Sequence, residues 1–400
     1  MAASESSHGS RIASIDLIRG AVMVLMAIDH ARVYSGLPAG GSTPGIFFTR
    51  WITHSCAPAF VFLAGTSAFM YGRLHADLAR FLAVRGAWLV LLELTVIRLA
   101  WTFNMDYAHY MLAGVIWVIG SSMILMALLV KLPLPAIGVL GVAIIAGHNL
   151  LDPHMDALLP TLGNDFRSAL WKIGYVGFSA GPVQWGAHGP GLTVLYSIVP
   201  WIGVMASGYA FGRILTLEPA RRDRLCIVIG IVATALFLVL RGFDLYGDPR
   251  PWSAAPGGDG GPPRPALFAF LGTNKYPASL DFLLMTLGPT IALMPALERA
   301  RGALAGWLSV FGRVPMFFYL LHIPLIHALA LGVSLLRTGA VSPWLFANHP
   351  MGNPPAPEGY AWSLPMLYAV WAVAILLLYW PCRWFAGVKA RGKQAWLRYL

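Results

Sequence analysis

An arginine and a histidine eleven residues apart in one apolar run are the first residues of this chain whose spacing points to chemistry. Residues 15–35 read IDLIRGAVMVLMAIDHARVYS. At 3.6 residues per turn, Arg19 and His30 return to nearly the same helix face, about 16 Å apart along the axis. The stripe Arg19, Met23, Met26, His30 then offers a cation at one end and a proton-transfer group at the other. Asp16 and Asp29 lie in the same stretch. A charge at the bilayer midplane costs about 2.5–3.5 kcal/mol on insertion scales, so such groups belong at helix ends or face a polar cavity. A plainer reading also fits, with Arg19 as an interfacial anchor and His30 at a capped helix end, and this stretch leaves both open.

Other groups extend the candidate set. His30 and His54 flank one short connection. His148 and Asp152 are four apart and can meet on one helix face, the carboxylate orienting the imidazole. His154 follows closely, but the tight spacing of a zinc signature is missing and no metal is expected. Glu93 and Arg98, within WLVLLELTVIRLAW, need partners facing them. Arg98 lies at the depth of Asp29 and is expected to interact with it; a structural ion pair that fixes helix packing is the alternative. Asn274, Lys275, Tyr276, Ser279 and Asp281 gather in TNKYPASLD, where they can hold a phosphate-bearing ligand or form an interfacial belt. His322 and His327 sit deep in FGRVPMFFYLLHIPLIH. Buried imidazoles need partners, and Pro324 exposes carbonyls one turn earlier that can serve.

The elements that must position these residues are membrane helices. Of the 400 residues, 58% are hydrophobic and 11% charged, against roughly 25% charged in an ordinary soluble domain. The chain reads as an all-α polytopic membrane protein. Its net charge of +11 is scattered over short connections with no aromatic-interleaved basic stretch, which excludes nucleic acid. Cys56, Cys226 and Cys382 lie in or beside apolar runs without CxxC spacing, as packing residues do. Apolar windows of about twenty residues fall at 15–35, 52–72, 81–103, 111–130, 134–151, 193–213, 225–242, 280–298, 308–336 and 363–386. They predict a bundle of about ten transmembrane helices, the ninth beginning with an interfacial turn at Pro315 and kinking at Pro324. The domain limits are a polar tail at 1–14, a membrane domain at 15–386 and a basic tail at 387–400. No small-residue cleavage site follows the first apolar run, so it reads as an uncleaved span.

Arginines and lysines cluster in alternate short connections, and the opposite loops are longer and rich in Gly and Pro, so both termini are expected in the cytoplasm. That topology gathers His30, His54, His109, His148, His154, His188 and His349 at the other face, beside Asp29, Asp106 and Asp152, which is what a general-base site needs. Gly208 and Gly212, at GxxxG spacing, predict close helix packing within the chain or across a homodimer. There is no GxSxG elbow, no HExxH and no GxGxxG after a strand, and GVKARGKQ lacks the Ser or Thr of a phosphate loop.

Seven segments together, SIDLIRGAVMVLMAIDHARVYS, RWITHSCAPAFVFLAGTSAF, LELTVIRLAWTFN, GHNLLD, PWIGVMASGYAFG, TNKYPASLDFLLMTLGP and GRVPMFFYLLHIPLIH, resemble bacterial relatives of the heparan-alpha-glucosaminide N-acetyltransferase catalytic domain over residues 11–385. The opening Ser14, Asp16, Arg19 and Gly20 is shared more widely with transmembrane acyltransferases, some of which also place a histidine eleven residues after the arginine; here it is His30. The resemblance implies transfer of an acyl group, acetyl above all, from cytoplasmic acetyl-CoA to a hydroxyl or amine of a sugar or glycan across the bilayer. It also brings Asn274, Lys275 and Ser279 near a donor site, with Tyr276 and His322 added to that set. The family's active histidine falls where this chain has Gly41, and the nearest loop-end histidine is His54. Arg19 is then expected to orient the donor, and His30 or His54, placed by Asp29, to deprotonate the acceptor, with Asp16, Glu93, Arg98, His148 and Asp152 in support. A bacterial cytoplasmic membrane is the expected location. A proton-coupled secondary transporter is the main alternative, although the inverted repeats of broken helices it predicts are not visible. A catalytically dead helper subunit is a third.

Overall fold

The protein is described by a computed structural model over residues 12–41, 43–186, 189–253, 265–352 and 354–392. The tail at 1–11 with His8, His188 in its loop, and the basic residues at 393–400 lie outside the described residues.

Long apolar stretches form helices here because backbone groups in lipid must bond within their own segment. In chain order they are α1 (Ala13–Ser35), α2 (Pro44–Trp51), α3 (Cys56–Gly72), α4 (Leu78–Leu92), α5 (Arg98–Thr102), α6 (Val115–Leu129), α7 (Leu134–Gly147), α8 (Met155–Leu158), α9 (Phe166–Trp171), α10 (Ile198–Phe211), α11 (Pro219–Gly242), α12 (Ala266–Leu271), α13 (Leu280–Arg299), α14 (Ala303–Arg313), α15 (Pro315–Thr338) and α16 (Leu364–Arg391). A π-helical turn, Glu93–Ile97, joins α4 to α5.

Among the described residues, seven helical segments are long and apolar enough to cross a membrane: Pro44–Gly72, Leu134–Thr161, Ile198–Thr216, Pro219–Gly242, Leu280–Arg299, Pro315–Thr338 and Leu364–Arg391. Three windows of the expected ten are helices of another character. The first, α1, carries Asp16, Arg19, Asp29 and Arg32. The third is interrupted at Glu93, and the fourth, α6, is 15 residues long. The ninth window differs as well. Its start belongs to a separate helix, α14, and the chain breaks at Val314 before α15 begins on Pro315, whose missing N–H costs nothing in a first turn. The loops before α6 and α10 also hold a small sheet. β1 (Met111–Ala113) lies parallel to β3 (Gly191–Val194), with Leu112 opposite Thr193, and β2 (Val183–Gln184) pairs antiparallel on its other side.

The helices cross where glycines face each other. A Cβ on Gly20 of α1 would strike the Leu308 carbonyl of α14, and one on Gly312 of α14 would strike the Asp16 carbonyl of α1. Gly86 and Gly120 do the same for α4 and α6, Gly141 and Gly203 for α7 and α10, and Gly230 and Gly288 for α11 and α13. Small residues let backbones approach where lipid supplies no hydrophobic force between helices. Gly208 belongs to this set, facing the Phe62 carbonyl of α3, and Gly212 meets the Phe69 ring. The GxxxG face therefore packs against α3 within the chain.

α1 runs through the centre, against α3, α13, α14, α15 and α16. Its N-terminus is closed from outside, because Glu298 of α13 accepts the N–H groups of Ser14 (2.7 Å) and Ala13 (3.3 Å). Its C-terminus stops at Gly36, with φ of 72°.

Candidate functional site

α1 opens onto two cavities. Arg19 lines the first, of about 350 Å³, with an apolar wall that includes Met23, Leu82, Ile119 and Met316. Arg85, Arg313 and Lys389 line it too, so basic residues from α4, α14 and α16 converge on one space. The Arg19 guanidinium donates to the Leu63 carbonyl (3.2 Å) and the Ser67 hydroxyl, which fixes it against α3. Asp16 is buried one turn earlier.

His30 lines the second cavity, of about 390 Å³, with Asp29, Arg50, His54, Glu93, Trp101, Tyr196, Lys275 and Tyr276. Tyr319 lines both cavities. α1 thus presents its arginine to one space and its histidine to the other.

His30 is held by a second histidine. Its Nδ1 lies 2.6 Å from Nε2 of His322 on α15, with the rings 22° from coplanar. Nδ1 of His322 faces the carbonyls of Tyr319 (2.7 Å) and Phe318 (3.2 Å). Carbonyls only accept, so the hydrogen-bond network assigns the His322 proton to Nδ1 and leaves its Nε2 as an acceptor. His30 must then donate from Nδ1. Its available lone pair is on Nε2, the tautomer of a general base whose far nitrogen is fixed by a neighbour. His322 is absent from the linings of these two cavities and stands behind His30. The carbonyls it uses are those of residues 318 and 319, not one freed by Pro324.

Asp29 does not position His30 by a hydrogen bond. Its carboxylate is shared between Arg32 (2.8 Å) and Arg50. Arg50 also donates to the Tyr276 hydroxyl (3.4 Å), and Lys275 lies over the Tyr276 and Tyr196 rings at 5.3 and 5.9 Å. In this loop, burial pushes the Lys275 ammonium below its usual range, and Arg50 adds to the effect. Burial raises the Tyr276 phenol, but the cations Lys275 and Arg50 outweigh it, and the group falls to about 8. His54 lines the same cavity; its Nδ1 is buried with no hydrogen-bond partner among the described residues, and its ring centroid lies 5.5 Å from that of Phe282 in an edge-on arrangement.

The remaining expectations separate. Arg98 does not meet Asp29. It is fully buried and donates to the carbonyls of Tyr110 (2.9 Å), Asn104 (2.5 Å) and Asp106 (2.7 Å), pinning the loop after α5. Nor does it pair with Glu93, whose carboxylate accepts the N–H groups of Ile116 (2.9 Å) and Trp117 (3.1 Å) at the start of α6. That helix end offers free donors and a positive dipole, which suits an anion. His148 and Asp152 meet only through Tyr175, whose hydroxyl reaches the His148 carbonyl and Asp152 Oδ1, both at 2.9 Å. Neither lines the two cavities on α1. The TNKYPAS segment divides. Asp248 takes the Asn274 N–H (2.7 Å) and the Ser279 hydroxyl (2.8 Å), and Ser279 caps α13, so these two build the turn while Lys275 and Tyr276 reach the cavity. His327 bridges the Ala100 and Leu345 carbonyls, away from both cavities.

Sequence reasoning missed Arg50 and Tyr319. Arg50 reads as a loop cation, and only the fold of α2 brings it to Asp29. Tyr319 could have been found, since it sits three residues before His322 and i, i+3 spacing shares a helix face.

No curated protein matches the chain. A family described as heparan-alpha-glucosaminide N-acetyltransferase, catalytic, matches residues 11–242. The match includes Arg19, Asp29, His30, Arg50, His54 and Glu93; Lys275, Tyr276, Tyr319 and His322 lie beyond it. The helices of the bundle and this match together make the chain a multi-pass membrane protein that belongs to the heparan-alpha-glucosaminide N-acetyltransferase catalytic family.

Proposed function

We propose that the protein moves an acetyl group from acetyl-CoA in the Arg19 cavity to a hydroxyl or amine of a sugar or glycan in the His30 cavity. The observation that carries this reading is that the two cavities share Tyr319, with cations gathered at one and a tautomer-fixed histidine at the other. Arg19, Arg85, Arg313 and Lys389 suit the phosphates of the donor, and the apolar wall between them and Tyr319 suits its pantetheine arm. About 16 Å of helix rise separates Arg19 from His30, a length an extended arm spans. His30 Nε2 takes the acceptor's proton as it attacks, and Asp29 balances Arg32 and Arg50 at the mouth.

In this reading both termini, and the Arg19 cavity with them, face the cytoplasm of a bacterial inner membrane, and about ten helices cross it, counting α1, the α4–α5 helix and α6. The charged residues of α1 and of α4–α5 point to partners inside the bundle, which removes the objection to placing them in a bilayer.

Purified protein should bind acetyl-CoA and release CoA thiol, slowly to water and faster with glucosamine as acceptor. Arg19→Ala should weaken acetyl-CoA binding. Solute uptake driven by a proton gradient, with no thermal stabilisation by millimolar acetyl-CoA, would replace this reading with a transporter. Orientation is tested by cysteines at the exposed positions His75 and Asn164; the native Cys56, Cys226 and Cys382 are buried, so their background is low. An impermeant thiol reagent on intact cells should label position 164 and spare position 75. The reverse pattern inverts the topology.

A further inference from the structure

Tyr319 has a feature that the reading above leaves unused. Its side chain is 3% exposed and lines both cavities, yet its hydroxyl makes no hydrogen bond to the described residues. The hydroxyl is left to bond whatever molecule, water or ligand, occupies the space it faces. Its backbone carbonyl takes the His322 proton at 2.7 Å, and its ring stands edge-on to His30, with centroids 6.4 Å apart and planes at 88°. One residue therefore fixes the tautomer of the histidine pair through its carbonyl and carries an unused O–H donor in the wall that the two cavities share. Tyr319 and His322 lie on the same helix, α15, so the phenol and the histidine that holds His30 share one support.

We propose that Tyr319 is a catalytic residue whose hydroxyl donates to the thioester carbonyl oxygen. The inference rests on the acetyl-transfer reading. A donor arm in the Arg19 cavity and an acceptor in the His30 cavity approach each other most nearly at the wall they share, which Tyr319 lines. The acceptor's lone pair forms a bond to the thioester carbon while His30 Nε2 takes the acceptor proton. The carbonyl π electrons move onto oxygen, where the Tyr319 O–H holds the developing charge. When the C=O bond re-forms, the C–S bond breaks and its electrons leave on sulfur. His30 returns its proton to that thiolate, giving CoA thiol and a neutral imidazole. A donor aimed at the oxyanion is stronger in the transition state than in the ground state, so it acts on the rate and not on binding.

The test compares wild type, Tyr319→Phe and Leu320→Met with acetyl-CoA and glucosamine. Tyr319→Phe keeps the ring between the cavities and removes only the hydroxyl. Its kcat should fall about 10²–10³-fold, the loss typical of a removed oxyanion donor, with acetyl-CoA affinity within threefold of wild type. Leu320→Met, a neighbour on α15 that lines neither cavity, should keep kcat within threefold. A Tyr319→Phe kcat within threefold of wild type overturns the proposal. The carbonyl stretch of acetyl-CoA labelled with carbon-13 at the carbonyl gives a second readout that needs no variant. Bound to wild type, it should lie below its position in an apolar solvent, and a stretch at the apolar-solvent value overturns the proposal even if the phenylalanine variant does not fold. If wild type neither binds acetyl-CoA nor forms N-acetylglucosamine, the acetyl-transfer reading itself has failed, a different result from a working enzyme indifferent to position 319.

Discussion

His30 donates from Nδ1 to His322 Nε2 across 2.6 Å, and the Tyr319 carbonyl behind His322 makes that the only tautomer with every ring proton used. His30→Gln should therefore lose 10²–10⁴-fold in transfer rate, as expected for a removed general base, while acetyl-CoA binding persists. His322 acts through His30, so His322→Phe should lower kcat about 10–100-fold, the usual scale for a group that orients a functional imidazole, and leave KM for acetyl-CoA unchanged. His322→Gln restores an acceptor oxygen and should recover part of the loss. Equal kcat in the Phe and Gln variants would reduce His322 to a packing residue.

His54 is the competing base, because it lines the same cavity and its Nδ1 has no partner. Nothing fixes its tautomer, however, and a base of undefined orientation is a poor one. Steady-state kinetics should rank His54→Gln well above His30→Gln in remaining activity. The opposite ranking moves the chemistry to the second cavity wall.

The Tyr276 phenol, brought to about 8 by Lys275 and Arg50 against the pull of burial, can be titrated directly. The phenolate is the charged form, and a neighbouring cation stabilises it. Absorbance at 295 nm should show a step near pH 8 that is lost in Tyr276→Phe. In Lys275→Met the step should move to higher pH, since the first of the two cations is gone. A step that stays in place would show that Lys275 does not reach the phenol.

Two glycines of α14 make opposite predictions for the fold. Gly312 lies on the Asp16 carbonyl of α1, while a Cβ at Gly306 meets nothing within 4 Å. Gly312→Ala should lower stability by about 1–3 kcal/mol, the usual cost of forcing atoms into a filled contact, visible as a lower Tm in detergent. Gly306→Ala should be neutral or gain up to about 1 kcal/mol of helix propensity. Equal Tm values would mean that α1 and α14 do not cross at this glycine.

The sequence by itself determined that this chain is a helical membrane protein, that Arg19 and His30 share a face of its first helix, and which family it belongs to. The first two are properties of local periodicity and composition, set by residues within a few turns of one another, and the family rests on the resemblance of whole segments. Tertiary structure decided which groups meet. Asp29 chose Arg50 over Arg98 because α2 folds back over the end of α1, and a buried charge takes the partner that packing brings, whatever its depth in a hydropathy plot. Glu93 found the open N–H groups of α6, and Asn274 and Ser279 were taken by Asp248, across loops whose spacing carries no register. Most of all, the partnership of His30 with His322 joins residues 292 positions apart. Helix period places a side chain on a face, but only the crossing of α1 and α15 decides what that face meets.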